Sequence, residues 1–519
     1  MIILADDVGQ GDIPLYFNSS AVQMPNIERL ASQGLVFHDM HSTPLCAPSR
    51  YMLLSGNYQH RGRNIKGTWS LTESRNQFKK NQKSLAHALK DAGYKTGMFG
   101  KYHLGSKIPP GGVIDRDKLL SSEFHDWNLP LLEHDIGFDF TYVTMEGIQR
   151  PPYAFFRNGY LDIHGGSVKD WSVGEFTMEG GTSKIIVDGE GSESWDSTIY
   201  NQIVVNETEA FLDNHLKFNA NDPFFSYVAL GAIHLPHSPP THFMDGSAVA
   251  GEYPVEQLDM LHEMDLTVGK IIDILETRGL AQDTIIIFTS DNGGLRPPTG
   301  SDLSHEPNGN LRGRKGSLYE GGTRVPFILR HDGYVPAGES RDKLLSLSDV
   351  FATLCEIVGI EIPKKAAKDS VSFAKYLKSE SNAAGLRSSY ASWKIAGKNF
   401  HSAALRRGNY KLIQNHHDST IEFYDLSNNL SEKNDLSTDM THESLIFEMT
   451  SELIELGPCA ENKVGDFDIT LDGGEIETVN CTWFASQRKE RCGIIKKSKT
   501  RKLCPRVCGR FRKFCDTLN

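Results

Sequence analysis

Apolar, β-rich runs that end abruptly in polar residues recur along the chain. Ile2 to Ala5 runs into Asp6-Asp7, Tyr94 to Phe99 into Gly100-Lys101-Tyr102-His103, Phe224 to Ile233 into His234, and Thr284 to Thr289 into Ser290-Asp291-Asn292-Gly293. Short runs of this kind read as buried strands. Between them the apolar spacing is helical: Ile27 to Gln33 before Gly34, Ser84 to Ala92 before Gly93, Thr198 to His215, and Val255 to Thr277 before Gly279. Strands alternating with helices predict an α/β fold, a mostly parallel sheet flanked by helices, with ligands outside the carboxyl ends of its strands. Chemistry is therefore expected at strand ends.

A further helix is expected to begin around Cys46-Ala47-Pro48-Ser49-Arg50, with Pro48 at its first position and Gly56 as its stop. Cys46 then lies at a helix N-terminus, where orphan N–H groups favour an anion, and Arg50 adds fixed charge one turn along. Residues 162 to 197, rich in Gly, Ser, Trp and acidic groups with weak periodicity, read as an excursion over the site or a plain surface loop. After Cys355 the pattern changes to a hairpin with a tight turn near Gly408, followed by Phe423-Tyr424-Asp425-Leu426. The expected organisation is a catalytic domain over 1–355, a small α+β subdomain with an antiparallel sheet over 356–458, and a cysteine-rich tail module over 459–519.

A length of 519 residues exceeds what one core usually fills. The formal net charge of −11 argues against a general nucleic-acid binder. No run approaches the roughly 18 apolar residues of a membrane span. Of eight cysteines, Cys46 and Cys355 stand alone, whereas Cys459, Cys481, Cys492, Cys504, Cys508 and Cys515 crowd the C-terminus without paired C-x-x-C spacing. That favours three disulfides over a metal knuckle, and with them a secretory route, extracellular or lysosome-like. Sequons at Asn18, Asn206, Asn429 and Asn480 are compatible with a glycoprotein. Met1 opens directly into an apolar strand, so a signal peptide is expected to be missing from this text. Arg488 to Lys513 carries a dozen basic residues against Glu490, which reads as a solvated module or as an anchor for anionic glycans.

Asp6, Asp7, Asp291 and Asn292 offer only oxygen donors, the hard set that suits Ca²⁺ or Mg²⁺ rather than zinc. Each alone could be a solvated turn; together at two strand ends they read as ligands.

The run Pro44 to Gly56 resembles the signature of the sulfatases, departing at Ser55, where Thr is more usual. Gly93 to His103 resembles the second signature of that family, with bulky Phe99 as the departure. Leu311 to Pro326 is similar to its lysine-bearing loop, with Arg314 where Gly is commoner, leaving open which of Arg312, Arg314 and Lys315 reaches the substrate. The resemblance covers most of Ile2 to about Leu456 and implies the alkaline phosphatase-like fold. It also implies a sulfuric ester hydrolase acting on a sulfated carbohydrate or aryl sulfate. Cys46 would be converted to formylglycine by a formylglycine-generating enzyme. One Ca²⁺, with Mg²⁺ less suited, would be held by Asp6, Asp7, Cys46, Asp291 and Asn292. Arg50, Lys101 and Lys315 would supply the cations that lower the barrier as charge shifts to the bridging oxygen. Asp291 would act as base, His103 would take the second proton, and His234 would assist the departing alcohol, with His237 as its competitor. The rival readings are a phosphonate monoester or phosphodiester hydrolase of the same superfamily, and a catalytically silent glycan-binding homologue.

Overall fold

The computed structural model describes residues 1–457 except 18–19, 65–68, 70–75, 106–135, 163–166, 297–304, 397–398, 416–419 and 428, together with the paired strands Phe467–Thr470 and Ile476–Val479. The six tail cysteines and the sequons at Asn18 and Asn480 lie outside the described residues.

Ten strands form one sheet. Its centre is parallel, in the order Ile286–Ser290, Ile2–Ala5, Phe224–Ala229, Lys95–Lys101, Phe140–Thr144. Both rims turn antiparallel, through Phe327–Arg330 and Leu35–Phe37 on one side and Phe155–Arg157 and Tyr160–Asp162 on the other. The expected mostly parallel sheet is thus parallel where the polar strand ends gather and mixed beyond. Connection length explains the far rim: Asn158-Gly159 is a hairpin link, whereas a parallel crossover needs about a dozen residues or more.

Successive side chains of a strand face opposite ways, and the two faces here carry separate cores. Ile2, Leu4 and Met98 join Leu53, Leu85 and Phe351 from the helices Cys46–Ser55, Leu85–Asp91 and Asp349–Val358. Ile3, Ala5 and Phe99 join Val204, Leu261 and Ile272 from Tyr200–Asn219 and Glu256–Thr277. Phe99 lies 5.8 Å from the Phe140 ring and 5.6 Å from Phe211, so its bulk fills the seam between sheet and helix. Gly100 has no such latitude: with φ +84°, a Cβ there would lie 1.8 Å from the Ala229 carbonyl oxygen. Only glycine brings Lys101 and His103 this close to the neighbouring strand.

The strand expected over Phe224 to Ile233 stops at Ala229. At Gly231 the backbone N–H turns to the Asn201 side chain (2.9 Å), and the segment folds over the next strand end, where Ile233 N–H donates to Asp6 O at 2.7 Å. The helix expected to open at Pro48 opens at Cys46, with Pro48 third. A first-turn proline is tolerated there because the first four N–H groups have no intrahelical partner. Gly56 caps it in the left-handed region, as expected. Among the described residues, the excursion expected over 162 to 197 contains two paired sets of short strands, Val168–Trp171 with Gly189–Ser192 and Gly174–Met178 with Gly181–Ile185. Gly174–Met178 and Gly181–Ile185 do alternate between a more buried and a more exposed face, but over only five residues each, too short a run to set a strand apart from a loop.

Ser389–Ala396, Asn399–Arg407, Tyr410–Asn415 and Thr420–Asp425 form a second, antiparallel sheet with the expected turn after Arg407. Leu405, Leu412 and Phe423 from it enter the first core. Among the described residues no helix is long and apolar enough to cross a membrane.

Candidate active site

Four adjacent strands deliver the site. Asp6 and Asp7 follow Ile2–Ala5, Asp291 and Asn292 follow Ile286–Ser290, Lys101 closes Lys95–Lys101 with His103 just beyond, and His234 lies past Phe224–Ala229. Cys46 enters from the side on its helix, buried, with Sγ 3.3 Å from His103 Nδ1. Cys46, Asp6 and Asp291 place ligand atoms within 4.8 Å of one another, as do Asp6, Asp7 and His234.

Three carboxylates meet three cations. Lys101 Nζ donates to Asp6 Oδ2 at 2.5 Å, Lys315 Nζ lies 2.5 Å from Asp7 Oδ1, and the Arg50 guanidinium grips Asp291 Oδ2 through Nε at 3.0 Å and an Nη at 2.6 Å. Burial alone would raise the Asp6 carboxyl, but Lys101, His234 and Arg50 outweigh it and hold it well below the usual carboxylate range. Asp7 is likewise lowered, Lys315 and His234 overcoming its burial. Asp291 goes the other way, raised by burial and the Asp6 carboxylate despite Arg50. A carboxyl poised to keep its proton beside other carboxylates is one that a cation would ionise.

Arg50 is fully buried, and its remaining bond goes to the Lys101 carbonyl at 3.0 Å. It holds Asp291 from behind and does not face open space. Lys315 and His234 retain 14% and 15% side-chain exposure while Lys101 and Arg50 have none, so the site opens at the Lys315 and His234 end.

Both histidines are neutral near pH 7. Burial, then Lys101, lowers His103 to about 3. Burial and Lys101 bring His234 to about 4. His234 Nδ1 lies 2.7 Å from the Leu235 carbonyl oxygen, which can only accept, so Nδ1 carries the proton. Nε2 then offers a lone pair, 3.7 Å from Asp7 Oδ2. His237 lines the adjoining cleft with Asp7, Leu235 and Arg314, at the Asp7 edge of the carboxylate cluster.

The structure separates Arg312, Arg314 and Lys315 of the 311 to 326 run. Arg312 stacks 3.9 Å over the Tyr319 ring and donates to the Tyr424 hydroxyl and the Glu432 carbonyl, a brace to the second sheet. Lys315 reaches Asp7, and Arg314 is exposed in the cleft. Sequence reading missed the network that carries this loop. Glu320, fully buried, meets Lys411 at 2.8 Å, Arg324 at 2.6 Å and Arg406 at 3.4 Å, and Asp39 pairs with His41, Arg324 and Arg406. Asp39, His41 and Glu320 cluster like metal ligands, but three cations already neutralise them. The only signal was position, since Glu320 shares a run with Lys315 while its partners lie far along the chain. Removing one partner of a buried ion pair costs about 3–5 kcal/mol. Lys411→Met is therefore expected to lower unfolding stability by about that amount, read by chemical denaturation. A change within about 0.5 kcal/mol would show that the network is not coupled to the fold.

Within the hard-donor set, the buried oxygens Asp6 Oδ1 and Asn292 Oδ1 have no hydrogen-bond partner among the described residues. Leaving such acceptors unmet costs about 1–3 kcal/mol each, and both belong to residues of the hard-donor set, so the donors fit a divalent cation. Polar groups converging on the carboxyl ends of parallel strands, over a hard-cation donor set and under two lysines, define an alkaline phosphatase-like hydrolase. Residues 1–132 and 143–360 match the sulfatase family model, and 314–458 match the C-terminal model of N-sulphoglucosamine sulphohydrolase. The chain is 30% identical over 504 residues to an N-acetylgalactosamine-6-O-sulfatase of Bacteroides thetaiotaomicron, spanning 87% of this chain and 91% of that protein. It is 28% identical over 382 residues to the human N-acetylgalactosamine-6-sulfatase, spanning 72% and 64%. A solved structure concerned with glycosaminoglycan metabolism in Bacteroides thetaiotaomicron superposes with TM-score 0.72 at 28% identity, over 88% of this chain and 98% of the other. A structure in complex with D-glucosamine-2-N,6-O-disulfate shares the fold, with TM-score 0.59 at 17% identity over 89% and 98%. The chain belongs to the sulfatase family and is an enzyme that hydrolyses sulfate esters. Sulfatases generally use a formylglycine and a divalent metal.

Proposed function

We propose that this sulfatase removes a 6-O-sulfate from an N-acetylhexosamine of a sulfated polysaccharide, with Cys46 converted to formylglycine and one Ca²⁺ held by Asp6, Asp7, Asp291 and Asn292. The observation that carries the chemistry is the convergence of Cys46 and His103, 3.3 Å apart, on the carboxylates and lysines of the strand ends. The names of the relatives carry the sugar. Hydrated formylglycine supplies two hydroxyls on one carbon, one to attack sulfur and one to release sulfate afterwards. Bound Ca²⁺ supplies fixed positive charge that polarises the sulfate. Irregular carboxylate and amide donors suit it better than Mg²⁺, which demands near-ideal octahedral geometry and keeps its waters.

The remaining roles belong to the chain. Asp291 accepts the proton of the attacking hydroxyl, oriented by the two donors of Arg50. Lys101 and Lys315 turn from their carboxylates to the sulfate oxygens, where negative charge builds. Lys315, at the open end, also donates to the departing sugar oxygen. His234 follows once a bound anion raises it from about 4. His103, neutral and beside Cys46, accepts the proton of the second hydroxyl.

The test is sulfate release from N-acetylgalactosamine 6-sulfate by enzyme whose Cys46 is modified, with the 4-sulfated isomer and 4-nitrophenyl sulfate alongside. Preference for the 6-sulfate is expected. Turnover of the aryl ester with none of either sugar would remove the carbohydrate assignment and leave the sulfatase intact.

A further inference from the structure

Arg314 stands apart from the other arginines among the described residues. Arg50, Arg157, Arg278, Arg324, Arg330, Arg387 and Arg406 hold carboxylates, Arg312 and Arg63 hold carbonyl oxygens, and surface Arg296 pairs with Glu306 at 3.2 Å. Among the described residues the Arg314 guanidinium meets neither. In a chain of net charge −11 an arginine without an acidic partner is an exception.

The backbone beneath it is fixed. Arg314 N–H donates to Ser317 Oγ at 3.0 Å, and its carbonyl accepts from that hydroxyl at 2.8 Å and from Ser317 N–H at 2.9 Å. Gly316 N–H is tied to Pro44 O at 2.7 Å, two residues from Cys46. The side chain enters the cleft that begins at Asp7, with His237 and Leu235 across it. Leu235 is 44% exposed there, an apolar surface suited to a sugar face. His237 is neutral because burial lowers it to about 4, Asp7 is matched by Lys315, and Arg296 by Glu306, which leaves Arg314 as the unmatched charge of the wall. Lys315, the next residue, faces the reacting centre. Consecutive Cα atoms lie ~3.8 Å apart, so anions held by the two side chains fall within a span of one or two sugar rings.

We propose that Arg314 is a specificity residue that binds a second anion of the substrate, a carboxylate or a further sulfate carried on or next to the sugar whose ester is cleaved. The proposal rests on the carbohydrate reading above. A guanidinium matches both groups bidentately, and such charge-assisted bonds are the strong ones.

The experiment compares kcat/KM on three substrates: N-acetylgalactosamine 6-sulfate, its 4,6-disulfate, and the 6-sulfate linked to an unsaturated uronic acid, in wild type, Arg314→Ala and Arg314→Lys. The wild type is expected to favour at least one doubly charged substrate by roughly 10- to 100-fold, mainly through KM. Arg314→Ala should shrink that ratio to about twofold and Arg314→Lys should restore part of it, since lysine keeps the charge and loses the fork. Which ratio collapses tells carboxylate from sulfate. A wild type without preference, or an Arg314→Ala ratio equal to that of the wild type, overturns the proposal while sulfate release from the singly charged sugar upholds the reading beneath it. Hydrolysis of 4-nitrophenyl sulfate with no release from any sugar overturns both.

Discussion

Cys46→Ala is expected to lower kcat by on the order of 10⁴-fold or more, the scale seen when a covalent nucleophile is removed. The variant should still fold. Residue 46 opens a helix, alanine is its best former, and loss of one sulfur leaves a gap that costs about 1 kcal/mol. Cys46→Ser separates nucleophile from exit: it keeps one hydroxyl, so it should give a single burst and stop. In active wild-type protein the tryptic peptide ending at Arg50 should carry the mass of formylglycine, and its abundance should track specific activity across preparations. Active protein with only unmodified Cys46, or an alanine variant that keeps its rate, would rule out the mechanism.

Removing the divalent cation should abolish turnover, and Ca²⁺ should restore it. The reason lies in the charge count. Asp6 and Asp7 are each matched by a lysine, Lys101 and Lys315, so a sulfate ester would meet lysines already engaged. A divalent ion held by these residues would free the lysines for the substrate, would satisfy the acceptors Asp6 Oδ1 and Asn292 Oδ1, and would favour the ionised form of Asp291. Binding is therefore also visible without catalysis. At a hundredfold excess over its dissociation constant, Ca²⁺ should stabilise the fold by about 2.7 kcal/mol, seen as a rise in Tm. Asp291→Ala should lose that shift as well as activity, whereas Cys46→Ala should keep it. Protein shown by elemental analysis to be free of divalent metal, yet fully active, would refute the assignment.

The centre of the fold was legible because its strands are buried on both faces and so read as continuous apolar runs that stop where the chemistry begins. Asp6, Asp7, Asp291, Asn292 and Lys101 were found that way. The end of the Phe224 strand was not, because the apolar run continues to Ile233 while the Gly231 N–H goes to an asparagine on a distant helix. No local pattern encodes that partner. The strands between 168 and 192 were hidden by their length, four or five residues each, with glycine at the ends of several of them. Arg312, Arg314 and Lys315 could not be told apart, because their separation comes from Tyr319 and Tyr424 claiming Arg312, and Asp7 claiming Lys315. The Glu320 network is invisible for a related reason: its charges are drawn from residues 39, 41, 320, 324, 406 and 411, and buried charge at one of these predicts nothing without the others.

Cys46 is only 4% exposed once the molecule is complete, and the strand beneath it, Ile2–Ala5, gains its two neighbours from Phe224–Ala229 and Ile286–Ser290. A ribosome that has delivered Cys46 must add a further 240 residues (286 − 46) before the last of those strands begins. At about 5–20 residues per second this takes roughly ten to fifty seconds, during which the first strand lacks at least one of its two neighbours and the thiol would stay within reach of a modifying enzyme. Afterwards the helix is covered from both sides. If Cys46 is converted as proposed, the order of the strands would set the time allowed for it: an enzyme that arrives during synthesis would find an open peptide, and one that arrives later a buried residue.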